Sequence, residues 1–133
     1  MDDDADLVRR IERLSDLVNG DPWLVHRGRF VTLELRLDLG AVLYHVAIDR
    51  GRIAAVARGP FLMRAWGFAV RGSAEGWRQF WRPVPPPHHH DIFALQKLGA
   101  FRIEGDLQPL MANLLYFKDV LAAPRRGNGD TAI

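Results

Sequence analysis

The chain has no cysteine. Disulfide staples, zinc–thiolate centres and cysteine nucleophiles are therefore excluded, and a reducing cytoplasm is the simplest expected compartment. Lysine is nearly absent too. Lys97 and Lys118 are the only two among 18 basic residues, and 16 acidic residues hold the formal net charge to +2. The arginines are scattered among acids and form no stripe. That pattern argues against a nucleic-acid surface and leaves at most a peripheral attraction to anionic membranes. No stretch is apolar for long enough to span a bilayer. The opening Met1-Asp2-Asp3-Asp4 is acidic, unlike a signal-peptide n-region, and Thr131-Ala132-Ile133 does not read as a peroxisomal address. There is no Gly-x-Ser-x-Gly elbow, no P-loop and no dinucleotide-binding glycine pattern.

What is present fits one globular domain over residues 1–133, with a core at about 5–122 and a mobile tail over 123–133. At 133 residues and 48% hydrophobic, the chain can bury a core unaided. Leu7, Ile11, Leu14 and Val18 recur at helical spacing, so one helix is expected over 5–19, ended by Asn19-Gly20-Asp21-Pro22. Residues 30–39 alternate, with Val31, Leu33, Leu35, Leu37 and Leu39 on one face and Thr32, Glu34, Arg36 and Asp38 on the other. This is a half-buried strand. A second strand runs from Val42 to Ile48. After the hairpin signal Asp49-Arg50-Gly51, a third covers Ile53 to Arg58, which makes an antiparallel meander.

Gly59-Pro60 breaks the pattern. A fourth strand is expected at 65–71 with Trp66, Phe68 and Val70 on one face. Ser73 then caps a helix carrying Trp77, Phe80 and Trp81 on one side. Pro83 to Pro87 is a stiff linker. A short helix follows from about Asp91, with Ile92, Phe93, Leu95 and Leu98 apolar, and Gly99 ends it. Phe101 and Ile103 alternate with Arg102 and Glu104 in a fifth strand. Gly105 turns the chain, and Asp106 caps a last helix to about Ala122 with Pro109 in its first turn. Its core stripe is Leu107, Leu110, Leu114, Phe117 and Leu121, widened by Met111, Leu115 and Val120. Strands followed by segregated helices imply an α+β domain: a five-stranded, mostly antiparallel mixed sheet with helices on one face.

The segment Gly99-Ala100-Phe101-Arg102-Ile103-Glu104-Gly105-Asp106-Leu107 resembles the C-terminal signature of the sterol-carrier-protein type 2 (SCP2) family. There a glycine and a short strand lead through Glu-Gly-Asp into the final helix. Gly72-Ser73-Ala74-Glu75 resembles the family's step from strand to helix, and the order of elements agrees over roughly residues 5–121. The resemblance implies an SCP2-like fold and non-catalytic binding or transfer of a long apolar ligand in a tunnel between sheet and helices. Fatty acid, acyl-CoA, isoprenoid and sterol-like lipids are the ligand classes it implies. It implies neither a cofactor nor a catalytic residue. The departure is Pro83 to His90, a proline-rich link carrying three histidines, which bears on the shape of the tunnel mouth.

On that footing the candidate ligand-binding residues are Trp77, Phe80 and Trp81 on the aromatic helix, Ile92 and Phe93 on the short helix, and Leu110, Met111 and Leu115 on the last. Core packing accounts equally well for the aromatic three. Two tryptophans on so short a helix each need a partner for the indole N–H. Methionine suits a site that adapts to varied lipids. Arg64, Arg78 or Arg82 is expected to hold a carboxylate or phosphate head. His88-His89-His90-Asp91 has metal-ligand chemistry. However, adjacent residues in extended chain point different ways and no second ligand cluster appears, so a solvated loop or a rim contact is expected. At about 0.8 kcal/mol per buried methylene, a chain of about a dozen carbons reaches micromolar affinity after ordering costs. The alternative is a protein-interaction module with a filled core that docks a partner through its Trp/Pro-rich edge.

Overall fold

The computed structural model describes residues 3–61 and 64–126. Three helices open the chain: α1 (Asp3–Glu12), α2 (Leu14–Asn19) and α3 (Pro22–Arg27). The stripe Leu7, Ile11, Leu14 and Val18 is fully buried as the spacing predicts. The single expected helix nevertheless breaks at Arg13 (φ −91°, ψ 0°), whose N–H bonds only three residues back, to Arg10 O. A tightened turn of this kind leaves the apolar spacing intact, so periodicity does not reveal it. The Asn-Gly-Asp-Pro stop is also a start. Asp21 caps α3 by accepting from Leu24 N at 3.2 Å, and Pro22 takes the first helical position.

The sheet contains β1 (Thr32–Asp38), β2 (Leu43–Asp49), β3 (Arg52–Arg58), β4 (Phe68–Gly72) and β5 (Phe101–Gly105), in the order β3-β2-β1-β4-β5. Only β1 and β4 pair in parallel; the other pairs are antiparallel. Between β4 and β5 lie α4 (Ala74–Phe80) and α5 (Ile92–Lys97). After β5 come α6 (Gln108–Ala112), α7 (Leu114–Ala122) and a 3-10 turn, Ala123–Arg125. Ala123 and Pro124 are buried, so packed structure continues past the tail boundary expected at 123; residues 127–133 of that expected tail lie outside the described residues. The α+β reading of a mixed five-stranded sheet is observed.

Alternation sorts the two faces. Leu35, Leu37, Tyr44, Val46, Ile48, Phe68, Val70, Phe101 and Ile103 are buried against the helices. Glu34, Arg36, Asp38, Arg71 and Glu104 face the other way and pair: Arg71 Nε donates to Glu104 at 2.7 Å, and Arg64 grips Glu34 with two bonds of 2.8 and 3.0 Å. His45, on this polar face, is buried because the Phe61 ring packs over it at 4.2 Å. Its Nε2 accepts from Arg36 and its Nδ1 faces Glu34 at 2.9 Å. Hydrogen bonds from Arg64 first, then from His45, hold the Glu34 carboxyl down to about 2.

Two expectations about the sheet and the last helix are corrected. Trp66 lies outside β4 and is not in line with Phe68 and Val70. The ladder begins only at Gly67, whose N–H bonds Glu34 O, and the indole sits beside Arg36, 5.6 Å away. The last helix breaks at Asn113 (φ −129°, ψ 42°), where the Asn113 side-chain amide donates to Pro109 O at 3.0 Å. With α6 set off from α7, Leu107 is 37% exposed and leaves the core stripe, while Met111 and Leu115 turn outward at 57% and 68%.

The Glu-Gly-Asp turn works as its residue types require. Gly105 adopts φ +99°, and a Cβ there would stand 2.6 Å from Gly67 O. Asp106 N–H donates to that same oxygen, and its carboxylate accepts from Gln108 N at 3.1 Å; the N-cap of α6 is Leu107, one residue later than expected, so Asp106 closes a turn just ahead of the helix instead of capping it. Glu104 accepts from Arg71 and Arg102 and serves the sheet.

Candidate functional site

The space between sheet and helices is filled by aromatics. Trp77 and Trp81 are fully buried, with ring centres 4.9 Å apart, and Phe101 lies 4.5 Å from Trp77. Both indole N–H groups are satisfied: Trp77 donates to Asp38 O and Trp81 to Leu121 O, each at 2.7 Å. These bonds pin α4 to the end of β1 and to the end of α7. Burying each such ring removes about 150–250 Å² from water, a gross gain of roughly 4–6 kcal/mol before ordering costs.

An enclosed space lies at the seam of α4, α5 and α7. Ser73 starts α4 by accepting from Gly76 N at 3.0 Å, which delivers Phe80 to the far end of that helix. Asp91 starts α5 by accepting from Phe93 N at 3.0 Å, which places Ile92 opposite Phe80. Lys118 arrives from α7. Phe80, His90, Asp91, Ile92 and Lys118 line a cavity of about 210 Å³. Asp91 is shared with a second, shallower depression of about 520 Å³ bordered by His88, Phe93, Ala94, Lys97 and Leu98. Its other carboxylate oxygen holds Lys118 Nζ at 3.0 Å, with both side chains about one-third exposed. The ammonium also stands 5.8 Å from the Phe93 ring.

A second cation stands beside the cavity. The Arg125 guanidinium lies 5.0 Å over the Phe80 ring. It donates twice to Phe80 O, at 3.0 and 2.8 Å, and once to His90 O at 3.3 Å. Among the described residues it has no carboxylate partner. Burial lowers its proton affinity, but from so high a starting value that it stays charged. The seam therefore offers an apolar floor of Phe80 and Ile92, the paired Asp91 and Lys118 at its wall, and the Arg125 guanidinium close by. A cluster of three or more metal-ligating side chains does not occur among the described residues.

The expected ligand residues divide into three groups. Phe80, Ile92 and Phe93 come together at the seam. Trp77, Trp81 and Leu110 lie fully buried in the core. Met111 and Leu115 border a separate depression of about 420 Å³ beside Arg27. The expected head-group arginines are corrected. Arg64 is bound to Glu34 on the opposite face of the sheet, Arg78 pairs with Glu75 and Arg82 donates to Gln79. None of the three lines the cavity. Of the basic residues here, Lys118 lines the cavity, and Arg125 stands behind its Phe80 and His90 wall, bonded to their carbonyl oxygens. For Lys118 a sequence signal existed: it is four residues after Leu114, on the edge of the apolar sector, where a bare ammonium needs a partner.

No family model matches the chain, and no curated protein matches it. Solved structures do. A crystal structure of sterol carrier protein 2 superposes with a TM-score of 0.69 at 9% identity, covering 88% of this chain and 94% of that one. A solution structure of a conserved hypothetical protein from Thermus thermophilus, described as a candidate sterol carrier protein, gives 0.62 at 8% identity over 87% and 86%. UbiJ-SCP2, a ubiquinone synthesis protein, gives 0.56 at 15% identity over 85% of each chain. The fold of this chain is the SCP2 fold.

Proposed function

We propose that this protein reversibly binds an apolar chain bearing an anionic end group, such as a fatty acid, and carries no catalytic site. The chain enters the seam between α4, α5 and α7, its tail against Phe80 and Ile92 and its head at Lys118 and Arg125. The observation that carries the reading is the cavity itself, an apolar floor with two cations at its edge. The fold supports it, because one of the similar structures is a sterol carrier protein and another is described as a candidate one. Fold alone does not specify ligand, and the choice of an acidic lipid rests on Lys118 and Arg125. Phe93, Ala94 and Leu98 offer the shallower depression to whatever part of the chain the deep cavity does not hold.

Native mass spectrometry of freshly purified protein, followed by organic extraction, tests this directly. A co-purifying acidic lipid is expected, or uptake of one added fatty acid per chain. His90→Trp, an exposed position on the cavity wall, should block uptake while leaving thermal unfolding unchanged. A protein that stays apo across a lipid panel, or a His90→Trp variant that binds as well as the parent, would overturn the proposal.

A further inference from the structure

The sheet face turned away from the helices carries mostly paired charges. Arg64 holds Glu34, Arg71 holds Asp38 and Glu104, and Arg102 adds to Glu104. At the hairpin end Arg50 holds Asp49, beside the exposed Arg52. Arg36 stands in the middle of the central strand, β1. It is half-buried and has no carboxylate partner among the described residues.

The row across the sheet at this point reads Ala57, His45, Arg36, Ala69, Glu104. The alanines reach nothing, and Glu104, two strands away, already accepts from Arg71 and Arg102. Only His45 bonds Arg36. Its Nε2 takes the Arg36 Nε–H at 2.8 Å, while its Nδ1 lies 2.9 Å from Glu34. His45 is the one polar side chain fully buried among the described residues, a placement that costs solvation unless its nitrogens are used. Here it holds the guanidinium by a single nitrogen. Nη1 and Nη2 are left without a protein partner among the described residues. Beside them lie two half-buried rings, Phe61 at 5.9 Å and Trp66 at 5.6 Å from the guanidinium carbon.

The free edge presents two parallel N–H donors, the fork that a carboxylate meets with both oxygens. The rings beside it suit a flat apolar body attached to that carboxylate. We propose that Arg36, Phe61 and Trp66 form a binding site for a small aromatic monocarboxylate. The site lies across the sheet from the seam and stands apart from the ligand proposed there.

The test is NMR of the isotope-labelled full chain titrated with benzoate, read at the Arg36 Nε–H and the Trp66 indole N–H. Saturable shifts at both are expected, with a Kd of about 1 mM. The other three indoles should stay in place. Inorganic phosphate and octanoate, read at the same two groups, should bind about fivefold or more weakly, since neither offers a ring to Phe61 and Trp66. Arg36→Lys keeps the charge but loses the fork and should weaken benzoate about tenfold, and Arg36→Gln should abolish the saturable shift at Trp66. Fatty-acid uptake at the seam should be unchanged in both variants, and that uptake also checks that they fold. No shift in the parent chain at about 20 mM benzoate would overturn the proposal. So would a Trp66 shift that survives in Arg36→Gln, or phosphate or octanoate binding there as tightly as benzoate.

Discussion

If the proposal holds, the cavity at the seam sets a measurable length on the ligand. Its volume is about 210 Å³, and a methylene fills about the space of one water in the liquid, roughly 30 Å³, so about seven methylene-sized groups fit. Each one buried contributes about 0.8 kcal/mol, or about a fourfold change in Kd. Titrating the protein calorimetrically with saturated fatty acids of increasing length should therefore give a steep slope, about fourfold per carbon, up to roughly eight carbons. Beyond that the chain would lie in the open depression along Phe93, Ala94 and Leu98, where part of its surface would stay wet. The slope should then fall to about twofold or less per carbon. Ala94→Trp fills the shallow depression and should flatten only this second limb. A slope that stays fourfold to the longest soluble acid would mean that the chain runs through the aromatic layer, and would refute the assignment to the seam. A flat response at every length would refute apolar binding there altogether.

Two further outcomes follow from the pins that hold the fold. Tyr116→Phe leaves the Gly51 carbonyl buried without its donor and should cost about 1–3 kcal/mol by denaturant unfolding, with a matching fall in Tm. Glu34, held down to about 2 by Arg64 and then by His45, has a folded pKa below its unfolded one. Its contribution is therefore complete above about 4.5 and lost as the pH falls from there toward about 2. With solvent screening of a partly exposed pair this is about 1–2 kcal/mol, and Glu34→Gln should remove that share of the acid dependence in unfolding curves.

The sheet was legible because one-sided burial writes itself as alternation. Leu35 and Leu37 against Glu34 and Arg36, and Tyr44 and Val46 against His45, leave one register that buries the apolar set. Glu104-Gly105-Asp106 was legible for a different reason: few residues other than glycine tolerate φ +99°, and a helix must begin just after it. The helix breaks at Arg13 and Asn113 were not legible. Each leaves the apolar residues at helical spacing while changing where the following turn points, so Met111 and Leu115 read as interior and stand outside. Tyr116 is absent from the predicted stripe, although its ring is buried and its hydroxyl bonds Gly51 O. At the seam, Phe80, Ile92 and Phe93 could be named from local pattern. Arg125 could not, since nothing local predicts a guanidinium folding back onto Phe80. The head-group arginines failed for the same reason: sequence distance says little about which face of the sheet a charge will occupy.

On the proposed reading a ligand would reach the seam by the route that costs least to open, and the magnitudes choose between two. Parting the aromatic layer would expose rings worth roughly 4–6 kcal/mol each and strand two indole N–H groups. Parting α5 from α7 breaks the Asp91–Lys118 pair, about one-third exposed on both sides and worth about 0–1 kcal/mol. Asp91 caps α5 and pairs with Lys118; on the proposed reading it would also be latch and competitor, because its carboxylate occupies the ammonium that an anionic head would need. Asp91→Asn separates these roles. Asparagine caps a helix about as well as aspartate, so α5 should start as before and stability should change by less than about 1 kcal/mol. Lys118 is released, and one negative charge leaves the rim. Fatty-acid affinity should then rise about three- to tenfold, most clearly at low salt, while an uncharged alcohol of equal length should gain little. Equal gains for acid and alcohol would show that the variant merely loosened the seam. A loss of acid affinity would show that Asp91, rather than the ligand, is the partner the Lys118 ammonium is built to serve.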